Sequence, residues 1–263
     1  MQYDRQIAGR AKITKMLGDH LLKPTSVQEV ESYLKMPKAL LDIAPDCCFV
    51  FTYGKLIAIK KCPKCELSIR TINKFMNAQK EGHYLIMKDM VHDTLKPRLL
   101  DLKLGTRTHS DYISEEKKQH HIQKSKKTTT SILGLRLCGA SFSVDDDGTE
   151  IQLTKTEGKM MNSSDFFNAM NEFFKIPKSK KAMAISHLNE IKAVIESSEE
   201  KRFFGCSLFV VIDDDSENLE KGVKVKLIDF ASMAHSEPGT PLYNGVDKGA
   251  LLGITSLIRI LSK

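Results

Sequence analysis

The sequence predicts an α+β fold with two lobes, a small β-rich N-terminal lobe and a larger C-terminal lobe of helices and strands. Short, β-rich apolar runs dominate the first third of the 263 residues. Two stretches with apolar residues at helical spacing follow in the second half. Two further apolar runs, separated by an acidic segment, predict a late β-hairpin. We expect the lobes at residues 1–91 and 92–263.

The N-terminal lobe is predicted to hold one helix and several strands. Thr25-Ser26 followed by Gln28-Glu29 is typical of a capping box that opens a helix through Leu34. The break at Tyr53-Gly54-Lys55 predicts a hairpin between two apolar runs. The predicted strands lie at residues 49–53, 56–60 and 84–91.

The segment PRLLDLKLG, residues 97–105, reads as an apolar strand in which leucines surround Asp101 and Lys103. Successive side chains of a strand alternate between its faces, so Asp101 and Lys103 share one face. Two charges on one face of an apolar strand would be costly inside an ordinary core. They are expected on the wall of a cleft that binds a charged ligand.

A basic helix is predicted over residues 114–127. Its cationic side chains fall at i, i+3, i+4 and i+7, which places them on one helical face. Like charges repel one another there unless an anion lies between them. Taken alone, the helix favours a solvated basic face. The stripe consists of Lys117, His120, His121 and Lys124.

The rest of the chain alternates strands with longer helices. We expect a strand at 133–142, a polar turn at 145–148, helices at 163–175 and 181–199, strands at 203–212 and 223–231, and a closing helix at 246–262. The five apolar residues of the first long helix are at helical spacing and indicate core packing.

Composition and charge limit the function classes. The net charge of +7 favours anionic partners. No apolar run of 18 residues is present, so no membrane span is expected. No nucleic-acid-binding module and no basic patch with interleaved aromatic residues is recognisable, so nucleic acid is not an expected partner. The first residues lack the apolar core of a secretory signal, so we expect a cytoplasmic or nuclear protein.

The six cysteines are expected to be reduced in that compartment. Cys62 and Cys65 have zinc-like spacing, and Cys47 and Cys48 are nearby. A zinc ribbon requires two C-x-x-C pairs, however, and only one is present. The pattern therefore favours small side chains packed in a strand-rich region, and it assigns no role to the Cys62/Cys65 pair.

The common nucleotide-binding motifs are missing. The sequence lacks G-x-x-x-x-G-K-[ST], which argues against a Walker P-loop. It also lacks G-x-G-x-x-G and H-R-D-x-x-x-x-N, which argues against an ordinary protein kinase. LIDFA at 227–231 is similar to a strand end that carries a metal-binding aspartate, although this signal is weak alone.

Several motifs together resemble the inositol polyphosphate kinase family. Residues 97–105 fit its signature P-x-x-x-D-x-K-x-G, and the resemblance continues on both sides of it. The flanking GTRTHSDYISEEK and TTTSILGLRLCG look most like the inositol hexakisphosphate kinase branch. Other similar segments are AGRAKITKMLGDHLLKP, YLIMKDMV, FFGCSLFVVI, VKLIDFA and NGVDKGALLGITSLIRIL.

The resemblance implies a protein-kinase-like fold with ATP bound in a cleft between the lobes, and Mg²⁺ as the metal. Lys23 is expected to contact the ATP phosphates with Glu29 as its ion-pair partner. The hinge departs from the family, since Lys88-Asp89 followed by Met90 replaces the usual Glu-Asn or Glu-Asp pair. The implied ATP-binding residues are Lys23, Glu29, Lys88, Met90, Asp101 and Asp229, and the implied metal ligands are Asp229 and Ser207.

The implied reaction is transfer of the γ-phosphate of ATP to an inositol polyphosphate by a monomeric enzyme, with Lys103 and Asp229 as catalytic residues. The branch implies inositol hexakisphosphate as acceptor and a pyrophosphate product. A multikinase or trisphosphate kinase that acts on a hydroxyl, and a non-catalytic polyphosphate-binding module, remain alternatives. The implied substrate-binding residues are Lys103, Lys117, His120, His121, Lys124 and Arg136.

Overall fold

The N-terminal region folds into an antiparallel sheet. In the computed structural model, the residues described are 2–9, 11–16, 18–60, 62, 65, 72–73, 82–144, 149–236 and 243–263. The sheet has five strands in the order β1-β2-β5-β3-β4. The strands are β1 Thr14–Lys15, β2 His20–Thr25, β3 Cys47–Thr52, β4 Lys55–Ala58 and β5 His83–Lys88.

Local signals in the sequence account for the first helix and the first hairpin. Helix α1, Val27–Lys35, begins at Ser26, whose hydroxyl accepts a hydrogen bond from the Glu29 amide at 3.3 Å. Tyr53 and Gly54 both have positive φ, 49° and 71°, as a two-residue turn between β3 and β4 requires. Both predictions are confirmed. A short helix α2, Lys38–Ile43, follows α1.

The C-terminal region is built on a second antiparallel sheet of five strands in the order β11-β10-β6-β7-β8. These are β6 Pro97–Leu104, β7 Leu135–Ser143, β8 Glu150–Leu153, β10 Ser207–Asp213 and β11 Val223–Ile228. The signature strand β6 lies at the centre, paired with β10 on one side and β7 on the other. A two-stranded ribbon pairs β9, Lys201–Arg202, with β12, Ala234–His235.

Helices cover and cross the second sheet. The basic helix and the three long apolar helices form as predicted, whereas β8 and the short helices are absent from the sequence prediction. The predicted turn at 145–148 lies outside the described residues. The helices are α3 Glu115–Lys126, α4 Thr130–Leu133, α5 Lys155–Met160, α6 Ser163–Phe173, α7 Lys178–Glu196, α8 Leu219–Gly222 and α9 Lys248–Leu261.

The two sheets share one hydrophobic core. Val30 and Leu40 from α1 and α2 belong to the same buried cluster as Leu102 of β6 and Ile254 of α9. Helix α2 also contacts α7 and β11. The α+β prediction is confirmed, and the division at residue 91 stays a prediction. In the described part of the chain, no helix is both long and apolar enough to cross a bilayer.

The end of β6 is held against α9 by a contact between two glycines. A Cβ at Gly253, in the middle of α9, would lie 2.4 Å from the Gly134 carbonyl oxygen. The same carbonyl accepts a hydrogen bond from the Gly105 amide at 2.8 Å, directly after β6. The position of the signature strand relative to α9 therefore depends on the absence of a side chain at residue 253.

Gly253→Ala is expected to lower the free energy of unfolding by about 1–3 kcal/mol, measured by urea denaturation. In the absence of a clash, replacing glycine by alanine would stabilise a helix by up to about 1 kcal/mol. A loss of stability would therefore come from the steric contact with Gly134. Ser256→Ala on the same helix is the control and should leave stability nearly unchanged. A more stable Gly253→Ala variant would contradict this packing.

Candidate active site

A cleft of about 550 Å³ lies where the two sheets meet. Its walls include Lys23 from β2, Asp101 and Lys103 from β6, and Asp229 after β11. A second cavity of about 620 Å³ lies beside residues 4–9 and contains none of these four side chains. We therefore assign the candidate active site to the first cleft.

Lys23 forms two ion pairs, and the one with Asp229 links the two sheets. Its Nζ donates to Glu29 Oε1 at 3.0 Å and to Asp229 Oδ1 at 2.9 Å. Burial alone would lower the pKa of Lys23, but the Asp229 and Glu29 carboxylates together raise it above its ordinary value. Lys23 is therefore charged, and it neutralises two carboxylates that would otherwise repel each other.

Glu29 is held in place from several directions. Its Oε1 also accepts the Phe230 amide at 3.2 Å, and the Thr25 hydroxyl donates to its Oε2. Because these groups turn the carboxylate away from the helix cap, the predicted capping box forms only its Ser26 half. The acid at this position serves the cleft and not the helix end.

The backbone at Asp229 is unusual. The residue has φ 65° and ψ 70°, in the left-handed region, immediately before a 3₁₀ turn at Phe230–Ser232. Aspartate tolerates this region better than most residues do. The following residue is fixed by Ser32, whose hydroxyl donates to the Phe230 carbonyl at 3.0 Å, and by an edge-on ring contact with Tyr33 at 5.5 Å. These contacts from α1 aim Asp229 into the cleft.

Strand register sets the row of polar groups on the second sheet. Lys103 pairs with Arg136 of β7 on one side and with Ser207 of β10 on the other. Its Nζ donates to the Gly205 carbonyl at 2.7 Å and lies 3.8 Å from Asp229 Oδ2. Burial would raise the pKa of Asp229, yet Lys23 and Lys103 hold it below its ordinary value.

Asp101 is buried and only partly compensated. Burial, opposed by Lys103, raises its pKa to about 6. The nearby Ser207 hydroxyl lowers that pKa in part, but the two groups do not form a regular hydrogen bond. Within the described residues, Asp101 Oδ1 and Ser207 Oγ have no hydrogen-bond partner. Buried unpaired oxygens of this kind are suited to ligand hydroxyls or a cation.

The opposite end of the cleft is cationic. Arg136 is only 2% exposed, and one of its nitrogens, Nη1, donates to Thr130 Oγ1 at 3.3 Å. Burial, followed by the charge of Arg136, lowers the pKa of Lys124 to about 8. Burial and Lys124 likewise lower the pKa of His121. Positive charge is concentrated here without carboxylate pairing of Lys124 or Arg136 among the described residues, so an anion would stabilise this end.

The basic helix brings half of its predicted stripe to the cleft. His121 and Lys124 line it, whereas Lys117 and His120 are exposed and lie outside its lining. Lys117 is about 10 Å from Lys124 along the helix axis, at a rise of 1.5 Å per residue. Residues on one face but at opposite ends of this helix are therefore too far apart to line the same part of the cleft. The site roles of all four residues stay predictions.

The hinge between the sheets also departs from its expected form. Lys88 and Met90 line the cleft, but Lys88 Nζ points to Asp46, 3.6 Å from its Oδ2. The Met90 carbonyl accepts a hydrogen bond from Lys224 at 2.7 Å. Tyr3 donates to the buried Asp89 carboxylate at 2.7 Å. The hinge is therefore anchored by side chains that the sequence motifs did not indicate.

Two further groups at the site are not among the predicted site residues. Lys155, the first residue of α5, lines the cleft and helps to lower the pKa of Asp229 and Lys124. Thr108 makes a 3.1 Å hydrogen bond with His121 Nδ1. Only the fold brings these residues to the cleft.

The donor set at the cleft fits a hard divalent cation. The Asp229 carboxylate and the Ser207 hydroxyl offer oxygen ligands, which Mg²⁺ and Mn²⁺ prefer. Ser207 Oγ is buried and has no hydrogen-bond partner within the described residues. The predicted metal ligands are thus chemically suitable.

A two-lobed, protein-kinase-like α+β fold with a charged cleft is the class that these observations define. A family model described as Inositol polyphosphate kinase matches residues 84–262. The chain belongs to the inositol polyphosphate kinase family. Human inositol hexakisphosphate kinase 2 is 29% identical over 226 residues, covering 71% of this chain and 53% of that protein. Mouse inositol hexakisphosphate kinase 3 is 29% identical over 201 residues, covering 69% and 51%.

The predicted family is confirmed by the family-model match, and the predicted resemblance to the hexakisphosphate kinase branch agrees with the similarity to these two kinases. The chain spans about half the length of the curated relatives it matches. Among solved structures, that of the inositol phosphate multikinase from S. cerevisiae, in complex with ADP and Mn²⁺, has a TM-score of 0.70 at 21% identity. The similarity covers 93% of this chain and 98% of that one, which confirms the fold.

Asp101 makes stability depend on pH. Its folded-state pKa of about 6 lies above the ordinary 3.8, so the folded protein favours the protonated form and loses stability as pH rises through 6. Asp101→Asn removes this loss. We expect its stability gain over the wild type to be about 2 kcal/mol larger at pH 7.5 than at pH 4.5, measured by urea denaturation.

The exposed Asp93→Asn exchange is the control for Asp101→Asn and should show no such pH dependence. An equal stability difference between wild type and Asp101→Asn at both pH values would show that the Asp101 carboxyl is not destabilised in the folded state.

Proposed function

We propose that the chain is an ATP-dependent inositol polyphosphate kinase that transfers the γ-phosphate of ATP to inositol hexakisphosphate and forms an inositol pyrophosphate. The observation that carries the proposal is the division of one cleft into two ends. One end holds the Lys23–Glu29–Asp229 ion pairs, and the other holds the concentrated positive charge of Lys124 and Arg136. The similarity to hexakisphosphate kinases supports the choice of acceptor.

ATP is assigned to the seam between the sheets. Lys23, already oriented by Glu29, would exchange its contact with Asp229 for the ATP phosphates. Asp101 would accept hydrogen bonds from the ribose hydroxyls, which would pair its buried oxygen. Mg²⁺ would be held by Asp229 and Ser207, and it would neutralise negative charge on the ATP phosphates. The hinge at Lys88 and Met90 would bind the adenine through its backbone.

The inositol polyphosphate is assigned to the cationic end. Lys103 lies between the two ends, 3.8 Å from Asp229 Oδ2, and would contact both the acceptor and the transferring phosphoryl group. His121, Lys124 and Arg136 would bind the remaining phosphates. An acceptor phosphate is already anionic, so pyrophosphate formation requires no general base.

A second candidate is a multikinase or trisphosphate kinase that phosphorylates a hydroxyl. It is favoured by the similarity in fold to the yeast inositol phosphate multikinase. A non-catalytic polyphosphate-binding module is a third. The presence of Lys23, Asp101, Lys103 and Asp229 in one cleft argues against the third candidate, because binding an inositol phosphate alone does not require them.

The proposal includes a monomer that acts in the cytoplasm or nucleus and does not bind nucleic acid. Support for the monomer comes from the exposed large apolar residues in the described part of the chain, since Tyr53, Leu95 and Met160 belong to different segments of the fold. All six cysteines are described and buried, and none forms a disulfide, as is usual in a reducing compartment.

The assay that tests the function offers Mg²⁺, ATP and either inositol hexakisphosphate or inositol trisphosphate, and resolves the products. We expect a pyrophosphate product from the hexakisphosphate. Asp229→Asn should lower kcat by at least about 100-fold, because the carboxylate is needed where phosphoryl charge develops. Asp215→Asn, in the exposed turn after β10, is the matched control and should retain activity.

Product from the trisphosphate alone would favour the second candidate. Tight binding of inositol phosphates without turnover, unaffected by Asp229→Asn, would favour the non-catalytic module.

Lys124→Ala is expected to raise KM for inositol hexakisphosphate about tenfold, since one charged hydrogen bond to phosphate is lost. Lys117→Ala removes the same charge from the same helix outside the cleft. Its KM should stay within about twofold of the wild-type value. Steady-state kinetics at fixed ionic strength checks this difference, and equal effects of both exchanges would contradict the assignment of His121 and Lys124 to the acceptor.

A further inference from the structure

Four metal-ligating side chains converge inside the N-terminal sheet, away from the ATP-binding cleft. They come from separate parts of the chain: His20 from β2, Cys48 from β3, and Cys62 and Cys65 from the segment after β4. All four are buried, with exposed fractions between 0% and 8%. Their ligand atoms lie within 4.8 Å of one another.

The distances resemble those of a tetrahedral metal site. His20 Nε2 lies 3.5, 3.6 and 3.3 Å from the sulfurs of Cys48, Cys62 and Cys65. With Zn–S bonds of about 2.3 Å and Zn–N bonds of about 2.0–2.1 Å, tetrahedral ligands have N···S separations of about 3.5 Å. The Cys62 and Cys65 sulfurs are 3.1 Å apart, so they would open by roughly 0.7 Å to reach the tetrahedral S···S distance.

The surroundings of His20 support this geometry. Its Nδ1 lies 3.1 Å from the Asp19 carboxylate, on the side of the ring away from the sulfurs. A carboxylate at one ring nitrogen fixes the tautomer and leaves Nε2 to bind a metal, as in many zinc sites. The Cys65 amide also donates to the Cys62 carbonyl at 3.0 Å, which closes the C-x-x-C turn.

Packing alone explains the cluster poorly, and Cys47 shows the contrast. Cys47 and Cys48 are adjacent on β3 and similarly buried, and they belong to different hydrophobic clusters. The Cys47 sulfur contacts the Phe49 carbonyl at 3.3 Å within the main core, whereas Cys48 faces the cluster. A disulfide would join two of the sulfurs and leave the third facing a histidine.

We infer that His20, Cys48, Cys62 and Cys65 form a structural zinc site with one histidine and three cysteine ligands. Four protein ligands fill a tetrahedral shell, so the site offers no open position for a substrate. The metal would join β2 and β3 to the segment that follows β4. Because β2 also carries Lys23, the zinc would stiffen the strand that contacts ATP.

The test measures zinc in the untagged 263-residue chain after dialysis against metal-free buffer, by inductively coupled plasma mass spectrometry. We expect about one zinc per wild-type chain. Cys48→Ser and Cys65→Ser should lose most of it, whereas the matched control Cys47→Ser should retain it. Removal of zinc by a chelator should lower Tm by roughly 5 °C or more, reversed by added zinc.

If the cysteine variants do not fold, the wild-type protein reconstituted with Co²⁺ keeps the inference testable. A tetrahedral thiolate site gives intense visible bands and a sulfur-to-cobalt charge-transfer band. A folded wild-type chain that retains only trace zinc, an octahedral Co²⁺ spectrum, or equal zinc loss in Cys47→Ser and Cys48→Ser would overturn the inference. These readouts are independent of phosphoryl transfer, so the zinc site and the proposed function can fail separately.

Discussion

The arrangement of the cleft depends on Lys23 and its two carboxylate partners. The lysine comes from the first sheet, Glu29 from the helix that follows it, and Asp229 from the end of the last strand of the second sheet. The Lys23–Glu29 pair joins β2 to α1, and the Lys23–Asp229 pair joins β2 to the end of β11. Glu29 also accepts a hydrogen bond from the Phe230 amide. Because an unpaired charge buried at this seam would be costly, the two sheets are held at the separation that keeps all three groups together.

The balance of positive and negative charge differs between the two ends of the cleft. At the Lys23 end, Lys23 and Lys103 each have a carboxylate within hydrogen-bonding or ion-pair distance. At the Lys124 end, burial and neighbouring cations lower the pKa of Lys124 and His121. This second end is destabilised in the absence of a ligand, as is Asp101 with its raised pKa. Electrostatic destabilisation of this kind is typical of a site whose polar groups find their partners only when a charged ligand binds.

Much of the fold follows from local signals, and much of the site does not. The alternation in β6 predicts that Asp101 and Lys103 share a face, and the cap at Ser26 predicts α1. Periodicity alone cannot show which end of a helix meets a cleft, so Lys117 was grouped with Lys124. His20 was missed as a partner of the cysteines because it is 28 residues from Cys48 in the chain. Strand pairing brings them together, and such distant pairing leaves no local pattern.

We expect Lys23 to exchange one carboxylate for a phosphate when ATP binds. A crystal structure of the chain with a non-hydrolysable ATP analogue and Mg²⁺ tests it most directly. We expect Lys23 Nζ to remain on Glu29 and to lie about 3 Å from a phosphate oxygen, with Asp229 turned to the metal. A complex in which Lys23 still pairs with Asp229 and makes no phosphate contact would contradict the account.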